Sequence, residues 1–243
     1  MTKENSQWYK SWFDTPFYHI LYKDRDYSEA KAFMKKITTY LNVPEDGELL
    51  DLACGRGRHS IHLNQLGYHV TGLDLSEESI KYAKQFENEC LHFYVYDMSK
   101  PYLKSFDIVL NLFTSFGYFE NEADNQNTIN AIKENLKPNG IGVIDFLNSD
   151  YIIEHLIPEE TKTVEHITFY LKRYVENGYI IKEISFNHED QDYNFFERVK
   201  AFTLEDFKSM FQNSNLQLID IFGDYNLGKF YKNKSERLIM IFM

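Results

Sequence analysis

Three carboxylates and a pair of glycines set the chemistry open to this chain. In Leu49-Leu50-Asp51-Leu52-Ala53-Cys54-Gly55-Arg56-Gly57-Arg58-His59-Ser60, an apolar run carrying one acid leads into a glycine-containing turn and then into a helical pattern. Such a turn after a buried strand is where open α/β sheets take nucleotide-like ligands. Gly55 and Gly57 would let the backbone approach the ligand with no Cβ in the way. Asp74, 23 residues beyond Asp51, ends the next apolar run. A carboxylate there can accept both hydroxyls of an adenosine ribose, and the spacing fits one strand-helix-strand unit. A dinucleotide would favour Gly-x-Gly-x-x-Gly, yet the third position holds Ser60. Asp51 would also set a negative charge beside a pyrophosphate. That acid suits a ligand with a positive amino group.

With these residues the sequence resembles the class I S-adenosylmethionine-dependent methyltransferases, whose first motif has the form Asp-x-Gly-x-Gly-x-Gly. Here it stands as Asp51, Ala53, Gly55 and Gly57, with Ala for the first Gly, a departure of one methyl group. The likeness continues through Asp74, Tyr96-Asp97-Met98 and Phe106-Asp107-Ile108-Val109, and covers residues 48–147. It implies S-adenosyl-L-methionine as cofactor, with Asp51 toward its methionine end, Asp74 on the ribose and Asp97 beside the adenine amino group. The cofactor set it implies is Tyr22, Asp51, Ala53, Gly55, Gly57, Asp74, Leu75, Asp97, Met98, Asn111 and Leu112. The segment from Asn111 to Phe119 looks like the corresponding loop of small-molecule N-methyltransferases, including those acting on amino sugars and on glycine. In those enzymes an inserted antiparallel segment covers the site.

Methyl transfer from a sulfonium is an in-line displacement of an activated leaving group, so the protein mainly aligns a nucleophile and excludes water. No catalytic triad is required. An amine acceptor must lose a proton, and a hydroxyl acceptor needs a base or a metal. Tyr118 and His59 are the catalytic candidates, and Asp145, Tyr151, His155, His188 and Asp224 are further bases at strand ends or in the inserted segment. Tyr118, Tyr151, Asp224 and Tyr225 are the substrate-binding candidates. The run His188-Glu189-Asp190-Gln191-Asp192 invites a metal reading, but an acidic loop between strands reads better as a solvated turn, and no metal is expected. The rival readings are a nicotinamide-dependent oxidoreductase, a non-catalytic module binding S-adenosylmethionine, and an RNA methyltransferase.

The elements that must hold these residues follow from periodicity. Apolar runs at 49–53, 68–75, 91–98, 106–113 and 140–147 alternate with helical spacing at 58–66, 77–89 and 122–136, the pattern of a parallel sheet with crossover helices. Ser76 is a plain N-cap, and Lys137-Pro138-Asn139-Gly140 stops the third helix and turns into the next strand. After Asn148 the texture becomes β-branched and aromatic over 167–190 and 193–202, with a hairpin turn at Asn177-Gly178. A capped helix at 203–214 and strands at 216–222 and 236–243 follow. The predicted fold is α/β, a Rossmann-like, seven-stranded, mostly parallel sheet with helices on both faces and an inserted antiparallel β cap. The expected divisions are an N-terminal helical lid at 1–45, rich in Trp8, Tyr9, Trp12, Phe13, Phe17, Tyr18 and Tyr22, a methyltransferase domain at 46–150 and 201–243, and a cap over the substrate site at 151–200.

The 243 residues include 43% hydrophobic and 16% aromatic residues, ample for one large core and a ring-lined pocket. A formal charge of -11 opposes adhesion to a phosphate backbone, so the expected partner is a small-molecule acceptor and no nucleic acid. A homodimer is compatible with the sequence. No apolar run approaches the roughly 18 residues of a membrane span, and the first residues lack a signal-peptide core. A soluble, cytoplasmic protein without membrane partners is therefore expected.

Overall fold

A computed structural model describes residues 8–23, 27–119 and 121–243, with side chains omitted at 8–10 and 27, so the predicted lid aromatics Trp8 and Tyr9 lie outside the described side chains. The chain divides into two compact units, Asp26–Tyr151 with Phe202–Met243, and Met1–Arg25 with Ile152–Ala201.

The first unit is built on a seven-stranded sheet. Its strands are β1 (Glu48–Leu52), β2 (His69–Asp74), β3 (Leu91–Val95), β4 (Phe106–Asn111), β5 (Leu136–Leu147), β10 (Leu218–Phe222) and β11 (Arg237–Phe242), in the order β10-β11-β5-β4-β1-β2-β3. The five strands from β5 to β3 run parallel, and at the β5 edge β11 runs antiparallel to both β5 and β10. The central strands β1, β2 and β4 are almost wholly buried, which is why they read as apolar runs without alternation. Helices α3 (Tyr27–Tyr40), α4 (Arg58–Gln65), α5 (Glu77–Ala83), α6 (Glu122–Asn135) and α8 (Leu204–Asn213) complete the unit, and α7 (Ser149–Glu154) spans its boundary at Tyr151. One face of α3 buries Phe33, Met34 and Ile37 in the same cluster as Leu63, Ile80 and Phe93, so residues 27–40 belong to this core.

The helix caps follow the sequence closely. The Ser76 hydroxyl accepts the Ser79 N–H at 3.0 Å, and Thr203 with Asp206 forms a reciprocal capping box at α8. The 136–140 segment behaves differently from the predicted turn. Strand β5 begins directly at Leu136, with Asn139 at φ 64 and an irregular register against Phe106 and Ile108 absorbing Pro138 inside it. A proline is tolerated where the ladder is already interrupted.

The second unit is a four-stranded antiparallel sheet in the order β6-β7-β8-β9, comprising β6 (Glu159–Val164), β7 (Ile167–Glu176), β8 (Tyr179–His188) and β9 (Gln191–Lys200). Each of its hairpins turns through two residues with positive φ: Glu165 and His166, Asn177 and Gly178, Glu189 and Asp190. This backbone matches the right-handed strand twist. Only the Asn-Gly pair announces it in the sequence, and β6, which is polar and mostly exposed, carries no apolar alternation to betray a strand. Helices α1 (Trp8–Phe13) and α2 (Pro16–Leu21) pack aromatic rings on one face of this sheet, with Trp12 on Phe195 at 4.7 Å and Phe17 on Phe186 at 4.8 Å. Glu197 ties both ends of this helical pair, accepting from Trp12 Nε1 at 2.9 Å and from the Tyr22 hydroxyl at 2.5 Å.

Candidate functional site

The turn after β1 is shaped by three left-handed residues, Ala53 (φ 58), Gly55 (φ 55) and Gly57 (φ 78). The departure at Ala53 is therefore one of backbone more than of space, since a residue with a Cβ holds a conformation that glycine adopts freely, at a cost of about 1 kcal/mol. The two glycines do different work. A Cβ on Gly55 would meet nothing within 4 Å, whereas one on Gly57 would lie 2.6 Å from the Phe93 ring. Gly57 thus seats the turn on the core, and Gly55 stands beside open space. The turn is closed by the Cys54 N–H donating to the Leu73 carbonyl and the Gly57 N–H to the Cys54 carbonyl, both at 3.0 Å.

The acids frame this turn. Asp51 pairs across the sheet with Gly72 and Leu110, is 1% exposed, and accepts the Ser60 hydroxyl at 2.5 Å. Burial pushes its carboxyl up to about 7; the Ser60 hydrogen bond opposes the shift, and the nearby Asp74 charge adds to it. Asp74 accepts the Gly55 N–H on Oδ2 at 2.7 Å and the Ser76 N–H on Oδ1 at 2.8 Å. Asp97, after β3, accepts the Ser99 N–H and hydroxyl on Oδ1 at 3.0 and 2.7 Å, and its Oδ2 lies 3.8 Å from Lys100.

Asn111 ends β4 beside Leu52 and is fully buried. Its Nδ2 donates to the Leu52 carbonyl at 3.2 Å and lies 3.7 Å from Met98 Sδ, while its Oδ1 has no partner among the described residues. A buried amide oxygen left unpaired costs roughly 1–3 kcal/mol, and a donor supplied by a ligand recovers it. Asp51, Ala53, Gly55, Gly57, Asp74, Met98 and Asn111 are thus joined through the ends of β1, β2 and β4. Leu112 is buried next to Asn111, and Leu75 is half-buried next to Asp74.

A second network lies at the ends of β4 and β5. Asp145, fully buried, accepts Arg237 Nε and Nη2 on Oδ1 at 2.8 and 2.6 Å. Its Oδ2 accepts the Phe113 N–H at 2.9 Å and the Tyr225 hydroxyl at 3.1 Å. Burial, then the Asp145 charge, pushes the Tyr225 hydroxyl well above the usual phenol range, which keeps it a donor. Phe113 and Thr114 are consecutive left-handed residues, φ 58 and 61, an arrangement that costs on the order of 1–3 kcal/mol per residue and persists only when its surroundings impose it. Sequence reasoning missed Arg237 and Phe113. A signal existed, because Asp145 is a lone acid in one apolar strand and Arg237 the lone cation opening another, and a buried charge requires a partner.

The remaining candidates sit as follows. His59 is 7% exposed, with its ring 5.2 Å from Phe113 and its Nε2 3.3 Å from Arg58 Nη2. Tyr118 is half-buried after Gly117, and Tyr151 is half-buried within α7. Asp224 turns its carboxylate onto its own loop, accepting the Asn226 and Gly228 N–H groups at 2.7 and 3.0 Å. Tyr22, His155 and His188 fall in the unit of the four-stranded sheet. There the Tyr22 hydroxyl meets Glu197 and Lys182, and the His188 ring stacks edge-on to Phe17 at 5.3 Å.

Residues 45–215 match the family described as a methyltransferase domain. The chain is also 30% identical over 196 residues to a putative methyltransferase, YqeM, of Bacillus subtilis, covering 76% of this chain and 79% of that protein. The chain belongs to the class I S-adenosylmethionine-dependent methyltransferases. This methyltransferase is 27% identical over 189 residues to a glycine/sarcosine N-methyltransferase of Halorhodospira halochloris, covering 73% of this chain and 68% of that one. Its fold is shared with an S-adenosylmethionine-dependent methyltransferase from Clostridium acetobutylicum, at a TM-score of 0.78 and 22% identity over 92% of this chain and 94% of that one. The methyltransferase match begins just before β1 and so contains the whole turn, both framing acids and the Asp145 end of the second network.

Proposed function

We propose that this methyltransferase transfers a methyl group to nitrogen on a small molecule, with the donor held by the turn after β1 and the acids around it. The observation that carries the reading is the convergence at three strand ends: Gly55 beside open space, the Asp74 carboxylate anchored on the Gly55 and Ser76 amides, and the buried Asn111 Oδ1, unpaired among the described residues. These features fit an adenosyl group with a charged amino acid tail. S-adenosyl-L-methionine, when bound, supplies a methyl on an already activated sulfonium.

The protein's own part is alignment and water exclusion. Asp74 would hold the ribose hydroxyls, Asp51 the cationic methionine end, and Asp97, with Met98 and Leu75, the adenine side. Ala53, Gly57 and Leu112 would shape the walls. Tyr118, and with it Tyr151, would face the acceptor. His59 and Tyr225 are better suited to forming the pocket wall than to taking a proton, since the His59 ring is packed on Phe113 and the Tyr225 hydroxyl is committed to Asp145. Asp224, engaged by its own loop, would act by shaping that loop.

The small acceptor rests on the acidic charge of the chain and on the likeness to an enzyme named for glycine and sarcosine. The test is transfer from S-adenosylmethionine labelled in its methyl group to a panel of small amines, amino acids, amino sugars and bulk RNA. Label appearing on a primary or secondary amine is the expected result. Label on RNA alone would overturn the acceptor class.

A further inference from the structure

Arg237 lies about 180 positions from the glycine turn in sequence, yet a continuous set of contacts within one unit connects them. Its guanidinium grips Asp145 Oδ1 twice and donates from Nη2 to the Thr114 hydroxyl at 3.1 Å. Asp145 in turn receives the Phe113 N–H on its side chain and the Thr114 N–H on its carbonyl, at 2.9 Å each. Those five hydrogen bonds hold two left-handed residues that carry full side chains.

The Phe113 ring so placed is enclosed on several sides. Tyr225 stacks on it at 5.4 Å with an interplanar angle of 16°, and Tyr225 is itself fixed by Asp145 and by Phe33 at 4.8 Å. The Arg58 guanidinium lies 4.4 Å from the ring centroid and the His59 ring 5.2 Å from it. Arg58 and His59 open α4 directly after Gly57, whose cap makes no side-chain hydrogen bond. The start of α4 therefore depends on Phe113 for its packing, and Phe113 depends on the Asp145 cluster for its backbone.

We propose that Arg237 is a positioning residue for cofactor binding, acting through Asp145 and the strained Phe113-Thr114 pair to set the Phe113 ring against the first turn of α4. Arg237 is not a contact of the cofactor in this account, and its side chain is only 19% exposed. The proposal rests on the reading that the turn after β1 holds the cofactor. It separates Arg237 from an ordinary buried ion pair, because an ion pair serving only stability would leave ligand affinity unchanged in protein that folds.

The experiment is calorimetric titration with S-adenosylhomocysteine, well below the melting temperature, on the full chain. Arg237→Met should weaken binding about tenfold, and Arg237→Met combined with Thr114→Asn should recover to within about threefold of wild type, because asparagine tolerates the left-handed backbone and keeps an acceptor at that position. Wild-type affinity in Arg237→Met, or no recovery in the double variant, overturns the proposal. If Arg237→Met does not fold, the pair Thr114→Val and Thr114→Asn decides: Val, which loses the acceptor and keeps the strain, should bind several-fold more weakly than Asn, and equal affinities overturn it. Asp74→Ala serves as the control on the underlying reading. Undiminished affinity there would remove the cofactor site itself and the proposal with it, whereas a loss confined to Asp74→Ala would remove only the role of Arg237.

Discussion

Asp51 is a fully buried carboxylate hydrogen-bonded by both the hydroxyl and the backbone of Ser60. Raising a folded-state carboxyl from 3.8 to about 7 means that the folded chain keeps a proton that the unfolded chain has lost. Stability of the ligand-free protein therefore falls as pH rises from about 4 to about 7 and levels off above that. Asp51→Asn, which can still accept from Ser60, should flatten this dependence in denaturant melts and leave the variant the more stable form at pH 8. A cation arriving beside Asp51 favours its ionised form, so ligand binding near pH 7 should release protons, seen as a binding enthalpy that changes with the ionisation enthalpy of the buffer. Asp74 offers a test with no change of pH. Asp74→Ala should weaken S-adenosylhomocysteine binding by roughly 1–3 kcal/mol, because ribose hydroxyls lose a charged acceptor. Both acids were legible in the sequence, since Asp51 interrupts one apolar run, Asp74 ends the next, and one crossover separates them. Arg237 was signalled only as a lone cation opening an apolar strand, because its partner stands 92 positions away, in a strand whose neighbour is fixed only by the topology.

Among the elements, the turn after β1 carries the most constraint per residue. Gly57→Ala would meet both a left-handed backbone and the Phe93 ring, and should cost roughly 2–4 kcal/mol in equilibrium unfolding. Ala53→Gly relieves a left-handed alanine and should gain up to about 1 kcal/mol. Opposite signs for two substitutions four residues apart distinguish backbone strain from simple crowding of the turn. The strands of the seven-stranded sheet were legible because burial on both faces leaves short apolar runs such as Ile108–Leu110. Strand β6 was not, since Glu159–Val164 is held by pairing to β7 and offers almost no buried side chain. Its turn at Glu165 and His166 is equally silent, since neither residue type demands the positive φ that the hairpin imposes. Helix α7 is six residues long, too short for a periodic signal.

At the scale of the whole molecule, two sheets of different kinds share one chain. The seven-stranded unit carries every acid of the candidate site, and the four-stranded unit is organised around aromatic rings and the Glu197 cluster. Among the described residues no helix is long and apolar enough to cross a membrane. Hydrogen exchange with S-adenosylhomocysteine should therefore protect peptides covering 51–60, 74–76 and 111–115 together, since the backbone amides of Gly55, Ser76 and Phe113 all close on side chains of the two linked networks. Protection of one of these segments without the others would break the link between them. The succession of strands and crossover helices was legible as far as β5, where apolar runs alternate with helical spacing. The antiparallel placement of β11 between β10 and β5 is what brings Arg237 to Asp145, and it follows from closure of the edge more than from any local pattern.

The central claim is that the bend following β1, with the acids on either side of it, receives an adenosyl group bearing a charged amino acid tail and not a dinucleotide. Isothermal titration of the purified protein against S-adenosylhomocysteine and NADH, side by side, tests it most directly. The account expects saturable binding of S-adenosylhomocysteine with one site per chain and no measurable binding of NADH. Tight NADH binding with S-adenosylhomocysteine silent would contradict it.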